Sequence, residues 1–346
     1  MPAKVSILLP NLNNREYLEA RIQSIWDQTL KNWELIIVDS YSNDGAWEYF
    51  QSCAQKDKRI KIYQSRERGI YNNFNKCIQY AKGEYIYFAT SDDTMCYNAL
   101  EKMVQALDEN PGCDLAHCKL KIIDQHDEVS KDKNWNNFYI VSYFGDLINR
   151  KHIRQAPHDG VLHFCGITVY TSLTQLLIRR SLFQQIGLFI PNYGAVADFE
   201  WELRATLLSH TVHVPEYLAT WRLHSNQATT EFYSNRAKAS GRFIKMANHA
   251  LKVARRIKPA IIEQLDIKEL KYLLKREQIY FEITLSRGKL HRWIVLCKWM
   301  LINYKLVFEY IDSKRKKKNF ISQKYFLAYI KKMVVKHKLK DHLKPI

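Results

Sequence analysis

The sequence predicts an α/β fold built on a mostly parallel sheet and followed by a helical C-terminal region. Strand-like and helix-like runs alternate through the first third of the chain, and polar or glycine-containing turns separate them. After about Glu231 the glycines thin out and the apolar residues take helical spacing instead.

The alternation runs Val5–Leu9 then Glu16–Gln28, Glu34–Val38 then Ala46–Ala54, Ile60–Tyr63 then Tyr71–Ala81, and Tyr85–Ala89 then Asn98–Asp108. Asn13 or Asn14 can cap the first helix, Ser42-Asn43-Asp44-Gly45 turns the chain into the second, and Gly83 re-aims it after the third. From Asp114 to about His224 the pattern is less regular. Strands are expected near Leu115–Ile123, Gly166–Thr171 and Thr211–Pro215, with helices over Ser181–Ile186 and Asp198–Leu208. His152, His158 and His163 fall on what reads as a loop, and their irregular spacing assigns them no metal. Amphipathic helices follow at Ser234–Ile257, Lys268–Arg287, Leu290–Asp312 and Gln323–Lys338, the last two joined by the basic run Lys314–Lys318.

Hydrophobic residues at 47% and charged residues at 25% of 346 positions are the balance of a folded globular chain. A net charge of +18 calls for an anionic partner: nucleic acid, an acidic membrane face or a phosphorylated small molecule. Seven cysteines form no CxxC pair and are odd in number, which argues against a disulfide framework. The run Val5–Leu9 ends at Pro10 and reads as a buried strand rather than a signal peptide, and Trp293–Ile311 is broken by Lys298, Asn303 and Lys305. A cytoplasmic protein, peripheral at the inner face of the cell membrane, is the expectation.

A parallel sheet binds ligands beyond the carboxyl ends of its strands, so the polar residues just after each strand carry the chemistry. These are Pro10-Asn11-Leu12-Asn13, Asp39 to Asp44, and Thr90-Ser91-Asp92-Asp93. Adjacent carboxylates repel unless a cation or hydrogen bonds compensate, and Mg²⁺ or Mn²⁺ shared with a diphosphate is one compensation. Capping the next helix is the other role open to Asp92 and Asp93. Asp39 can form a turn or accept hydrogen bonds from a base or ribose. No glycine-rich fingerprint follows the first strand, which excludes a dinucleotide-binding fold and a P-loop enzyme.

In order along the chain, Val5–Asn13, Ser24–Thr29, Trp33–Asp39, Ser42–Gly45, Gly69–Asn75 and Ala81–Asp93 resemble family two of the inverting glycosyltransferases, with its GT-A fold. A second block, Arg179–Phe189, Ala197–Arg204 and Trp221–His224, is similar to the acceptor side of that family. The resemblance implies a donor-binding half over 1–110, an acceptor half over 111–230, and a basic, mainly helical region over 231–346. It implies that Pro10, Asn11, Asn13, Asp39 and Asn75 contact the nucleotide-sugar, with Arg66 or Arg68 nearby. Asp92 then meets the ribose or the metal, Asp93 and His224 the metal, and Asp198 is the general base. The implied cofactor is Mn²⁺ or Mg²⁺, the donor a nucleotide-sugar, and the acceptor a glycan or lipid-linked glycan in bacterial surface polysaccharide synthesis. Three positions depart from the family pattern: Ser91 replaces the first aspartate of the DXD triplet, Ala197 an acidic residue, and Asn72 an aspartate.

Inverting transfer needs a base on the acceptor face and charge stabilisation at the leaving diphosphate, and Asp198 at a helix start suits the first task. Helix capping is the structural alternative for the same residue. Trp201 and Trp221 read as core residues that can also line a sugar site. Two other classes compete. A sugar nucleotidyltransferase would carry a glycine-rich basic N-terminal loop, which is lacking, and a nucleic-acid-binding protein would interleave basic and stacking residues on a recognisable module. Carboxylates at the sheet edge oppose the second reading.

Overall fold

The computed structural model describes residues 2–131, 133–224, 236–286, 288–315 and 323–346. Nine strands form one sheet in the order β3-β2-β1-β4-β7-β5-β8-β6-β9. The strands β1 (Val5–Asn11), β2 (Trp33–Asp39), β3 (Ile60–Gln64) and β4 (Tyr85–Phe88) are parallel, with Asn11 in register with Asp39 and Leu8 with Phe88. Every residue of β1 and β2 is buried, as expected of strands covered on both faces. The covering helices are α1 (Leu18–Trp26), α2 (Ala46–Lys56), α3 (Ile70–Tyr80) and α4 (Ala99–Glu109).

The close approach of β1 and the turn before β4 depends on Gly83. Its amide donates to Ser6 Oγ at 2.8 Å, and a Cβ there would lie 2.5 Å from the Ser6 backbone nitrogen. Gly83→Ala must therefore part β1 from β4. The expected cost is about 1–3 kcal/mol, read as a lower denaturant midpoint at unchanged m-value.

Beyond α4 the sheet becomes mixed. Strand β5 (Cys113–Ile123) runs parallel to β8 (His210–Arg222), while β7 (Leu176–Arg179) is antiparallel to both β4 and β5 and so joins the two halves. The strand expected at Gly166–Thr171 does not form. Ile167, Val169 and Tyr170 are buried there, but Gln175 Oε1 accepts from the amides of Thr171 and Ser172 at 2.9 and 3.2 Å. Those amides are spent locally, and pairing passes to Leu176–Arg179.

His152, His158 and His163 also depart from expectation, because they lie on β6 (His152–Arg154) and α6 (His158–Phe164) rather than on a loop. All three are buried around Asp159, which takes Arg154 Nε at 2.8 Å, His158 Nδ1 at 2.7 Å and the Tyr170 hydroxyl at 2.9 Å. Burial would raise the Asp159 carboxyl, but Arg154 and His158 overcome it and hold the group low. Burial pushes His152 and His163 down to about 4, so both are neutral at physiological pH.

Two further helices, α5 (Tyr139–Phe144) and α7 (Arg180–Ile186), precede α8 (Ala197–Leu208). The C-terminal helices are α9 (Arg236–Ile257), α10 (Pro259–Glu263), α11 (Ile267–Leu285), α12 (Lys289–Arg315) and α13 (Gln323–Lys336). The expected boundary at residue 230 and Lys316–Lys318 of the basic run lie outside the described residues. In packing, α9, α11 and α13 are continuous with the rest: Met246, Leu251, Leu270, Leu274, Ile330 and Met333 belong to the main core. The strand β9 (Leu343–Pro345) returns to the sheet and pairs antiparallel with β6. No helix among the described residues is long and apolar enough to cross a membrane.

Candidate active site

The polar segments after β1, β2 and β4 meet at the carboxyl edge of the parallel half. The first two interlock. Asp39 is fully buried, with Oδ1 accepting from Asn11 Nδ2 at 2.9 Å and Ser42 Oγ at 2.6 Å, and Oδ2 from the Ser42 amide at 2.8 Å. Asn13, at φ +52°, donates its amide to Ser42 Oγ and accepts from the Asn43 amide, both at 3.0 Å. Neither Asn13 nor Asn14 caps the first helical turn by its side chain; the Arg15 amide donates instead to Asp44 Oδ2 at 2.8 Å. Asn73 on α3 donates to Ser40 Oγ at 2.6 Å. The Oδ1 atoms of Asn11 and Asn73 accept no hydrogen bond and are shielded from solvent, two unsatisfied acceptors packed beside Asp39 and Ser40. Pro10 lies buried within β1, and Arg66 and Arg68 are exposed on the loop after β3.

The segment after β4 is held by β8. His224 Nε2 lies 2.9 Å from Asp92 Oδ2, with the Asp92 side chain 21% exposed and His224 at 6%. Asp93 points inward: its Oδ2 accepts from Thr90 Oγ1 at 2.5 Å and its Oδ1 from the Arg222 amide at 2.7 Å. Burial, and then the neighbouring Asp92 charge, push the Asp93 carboxyl up to about 7. Arg222 donates Nε to the Asp92 carbonyl at 2.6 Å and Nη1 to the Asp124 carbonyl at 2.9 Å, and pairs with Asp127 at 2.5 Å. Tyr17 sits beside this pair, its ring 5.0 Å from that of His224 and 5.1 Å from the Arg222 guanidinium. Asn14 Nδ2 donates to Ser91 Oγ at 2.8 Å, joining the β1 loop to the β4 loop.

Asp198 stands in the first turn of α8, half-buried, where Oδ1 accepts from the Phe199 amide at 2.8 Å. Burial pushes its carboxyl up to about 6, against the Phe199 amide and a hydrogen bond from the Tyr71 hydroxyl. Tyr71 stands in the first turn of α3, so Asp198 lies by the N-terminal end of that helix. Of the two other carboxylates of α8, Glu200 is engaged by charged or polar partners and Glu202 is buried beside a neutral histidine. Glu200 pairs with Arg204 at 2.7 Å and with His249 at 2.6 Å, and Glu202 is buried 3.9 Å from His163.

Asn75, expected to contact the donor, bonds the Phe189 backbone on both sides of its amide, donating at 3.0 Å and accepting at 3.1 Å, which makes it a clasp between α3 and the segment before α8. Trp201 is core, fully buried and stacked on Phe183 at 4.6 Å, whereas Trp221 is half-buried under Lys133 at 4.2 Å. The sequence assigned no individual role to Arg222, Tyr17 or Asn73, and to Ser42 only a place in a turn. Arg222 stands two residues before His224 in the Trp221–His224 block, which is the signal that could have flagged it.

A mixed sheet whose parallel strands end in this interlocked polar edge is the GT-A fold of the glycosyltransferases. The chain belongs to glycosyl transferase family 2, whose model matches residues 6–184. An uncharacterized protein of Mycobacterium tuberculosis is 26% identical over 68% of this chain and 72% of its own length. The putative teichuronic acid biosynthesis glycosyltransferase TuaG of Bacillus subtilis is 36% identical over 30% of this chain and 42% of its own. Staphylococcus aureus TarS residues 1–349, solved with UDP-GlcNAc, aligns over 90% of this chain and 83% of that one, with a TM-score of 0.61 at 14% identity. The mannosyltransferase PcManGT of Pyrobaculum calidifontis, solved with GDP-Man and Mn²⁺, aligns over 96% and 88%, with a TM-score of 0.51 at 13% identity.

Proposed function

We propose that this protein is an inverting glycosyltransferase that moves a sugar from a nucleotide-sugar to a hydroxyl of a glycan or lipid-linked glycan, in bacterial surface polysaccharide synthesis. The observation that carries the reading is the division of the carboxylates. Asp92 with His224 stands at the ends of β4 and β8, while Asp198 stands apart at the start of α8, beside Tyr71 of α3. Inversion asks for that division, with a base on the acceptor face and charge compensation at the leaving group.

We place the nucleoside over the edge built by Asn11, Asn13 and Asp39, whose interlocked hydrogen bonds fix the loops after β1 and β2. Arg66 and Arg68 are free in space to approach the diphosphate. We place Mn²⁺ or Mg²⁺ beside Asp92 and His224, with diphosphate oxygens and water supplying most of its ligands, since no group of three or more His, Cys, Asp or Glu among the described residues could hold a cation by itself. When bound, such a cation neutralises charge on the departing diphosphate. Asp93 is better suited to bracing the loop than to coordination, since Thr90 and Arg222 already occupy both its oxygens. One relative lends weight to the substrate class: a GalNAc(5)-diNAcBac-PP-undecaprenol beta-1,3-glucosyltransferase of Campylobacter jejuni, 30% identical over 37% of this chain and 41% of its own length.

Product analysis with UDP-, GDP- and dTDP-sugars tests the reaction, and absence of transfer or donor hydrolysis with all three would refute it. Calorimetry with the matching nucleoside diphosphate tests the metal. Affinity should fall with EDTA, and Asp92→Ala should lose at least the roughly 10–100-fold that even outer-shell changes at metal sites typically cost. Equal affinity with EDTA and in Asp92→Ala would remove the cation from the account.

A further inference from the structure

The helix α12 divides its apolar residues between two faces. One is occupied: Val295, Trp299, Leu306, Val307 and Tyr310 are buried with Ile279 and Ile283 of α11 in a small core of their own. Glu282 of α11 accepts from Trp299 Nε1 at 2.7 Å and from Lys298 Nζ at 3.0 Å. The other face is bare. Leu290, Trp293, Ile294 and Leu301 are 77%, 68%, 60% and 92% exposed. At 3.6 residues per turn these four fall in a stripe about 100° wide, opposite Val295 and Trp299. The helix breaks at Asn303 (φ −157°, ψ 72°), and beyond it Tyr304, Phe308 and Ile311 repeat the i, i+4, i+7 spacing and are again exposed. Contiguous exposed apolar surface of this kind marks an interaction site.

The charge of the chain identifies what covers it. Residues 231–346 hold 29 Lys and Arg against 9 Asp and Glu, whereas residues 1–230 hold 24 against 26. All of the net +18 therefore comes from the helical region that bears the stripe. On α12 itself Lys289, Arg292, Lys298, Lys305, Lys314 and Arg315 flank the apolar residues. A cavity of about 660 Å³ opens beside Tyr304, lined by Lys268, Lys275, Lys305 and Lys332 together with Asp266 and Glu269, the last paired with Lys332. Two copies meeting through this face would bring two strongly cationic regions together, which disfavours a homodimer. A nucleic acid would satisfy the lysines and leave the stripe in water.

We propose that α12 lies in the plane of an anionic bilayer surface, its stripe from Leu290 to Ile311 in the acyl boundary and its lysines and arginines among the headgroup phosphates. Length and composition agree, since interfacial helices of 20–30 residues combine an apolar face rich in Trp, Phe and Leu with Lys and Arg beside it. The proposal names the surface at which the enzyme meets a lipid-linked acceptor and so extends the functional reading, but it rests on exposure and charge rather than on turnover.

The test is co-sedimentation of the full chain with vesicles of phosphatidylcholine alone and of phosphatidylcholine mixed with phosphatidylglycerol, at low and high salt. Binding is expected to the mixed vesicles only and to weaken with salt. Leu301→Glu and Phe308→Glu should each lower the apparent partition coefficient about ten-fold or more. Lys305→Gln should lower it about five-fold. Melting temperature and nucleotide affinity should stay unchanged, because these side chains face solvent. Absence of binding, equal binding to neutral vesicles, or unaltered binding by both glutamate variants overturns the proposal. Glutamate variants that dissociate an oligomer while the wild type ignores vesicles assign the stripe to a second copy and overturn it too. Nucleotide affinity measured on the same samples separates a failed membrane proposal from a failed enzymatic one.

Discussion

Asp198→Asn is expected to lower turnover by roughly 10²–10⁴-fold, the usual contribution of a general base, while nucleotide affinity changes little. Asparagine keeps the shape and caps a helix about as well as aspartate, so a purely structural role would leave turnover near normal. The pH profile gives a second readout. With the carboxyl raised by burial to about 6, the ionised base is lost as pH falls through that value, and turnover should fall with it. The stability sign is opposite. A carboxyl raised on folding stabilises below its unfolded value and loses that contribution as pH climbs through the folded one, so Asp198→Asn should flatten stability between about pH 4 and 6. Near-normal turnover would return Asp198 to a capping role and leave Glu202 as the next carboxylate to test, since Glu200 is bound to Arg204 and His249.

Arg204→Met should destabilise the fold by about 3–5 kcal/mol, the cost of leaving a buried charge without its partner. Arg204 is 1% exposed and Glu200 fully buried; besides that pair, the guanidinium donates to the carbonyls of Ile186, Gly187 and Leu188 at 2.5, 3.2 and 2.8 Å. Replacing Glu200 as well, in Arg204→Met/Glu200→Leu, removes the stranded charge and should recover part of the loss. Full recovery is not expected, because three carbonyls remain without their donor. Urea unfolding of both variants measures it, and a loss under 1 kcal/mol in the single variant would show that water or His249 replaces the arginine.

The parallel half of this fold was legible because its strands are short, mainly apolar runs and each ends in a polar turn. Val5–Leu9 and Glu34–Val38 admit few other readings. The mixed half was not, because its strands are selected by partners rather than by pattern: Gly166–Thr171 is as apolar as Leu176–Arg179, and only the amides spent on Gln175 decide between them. Local pattern cannot reveal β6 either, three residues rich in His and Arg that are buried by a charge network closing through Asp159. At the site, position after a strand found Asp39, Asp92 and Asp93 but could not say which way each carboxylate turns. Asp92 faces His224, and Asp93 is turned inward by Thr90 and Arg222. Asn75 illustrates the same limit: its place in a motif is visible, whereas its two bonds to Phe189 depend on a segment 114 residues away.

The three-residue strand β9 has a consequence for how the chain reaches this state. It covers the outer edge of β6, from which it is separated by almost 190 residues of sequence. During synthesis that edge stays unpaired until the last helices have been made, and an open edge is a template for pairing with other chains. The sheet is thus closed late by a very distant contact, a slow step by the relation between folding rate and sequence separation. Nascent chains arrested between β6 and β9 are the species in which self-association would begin.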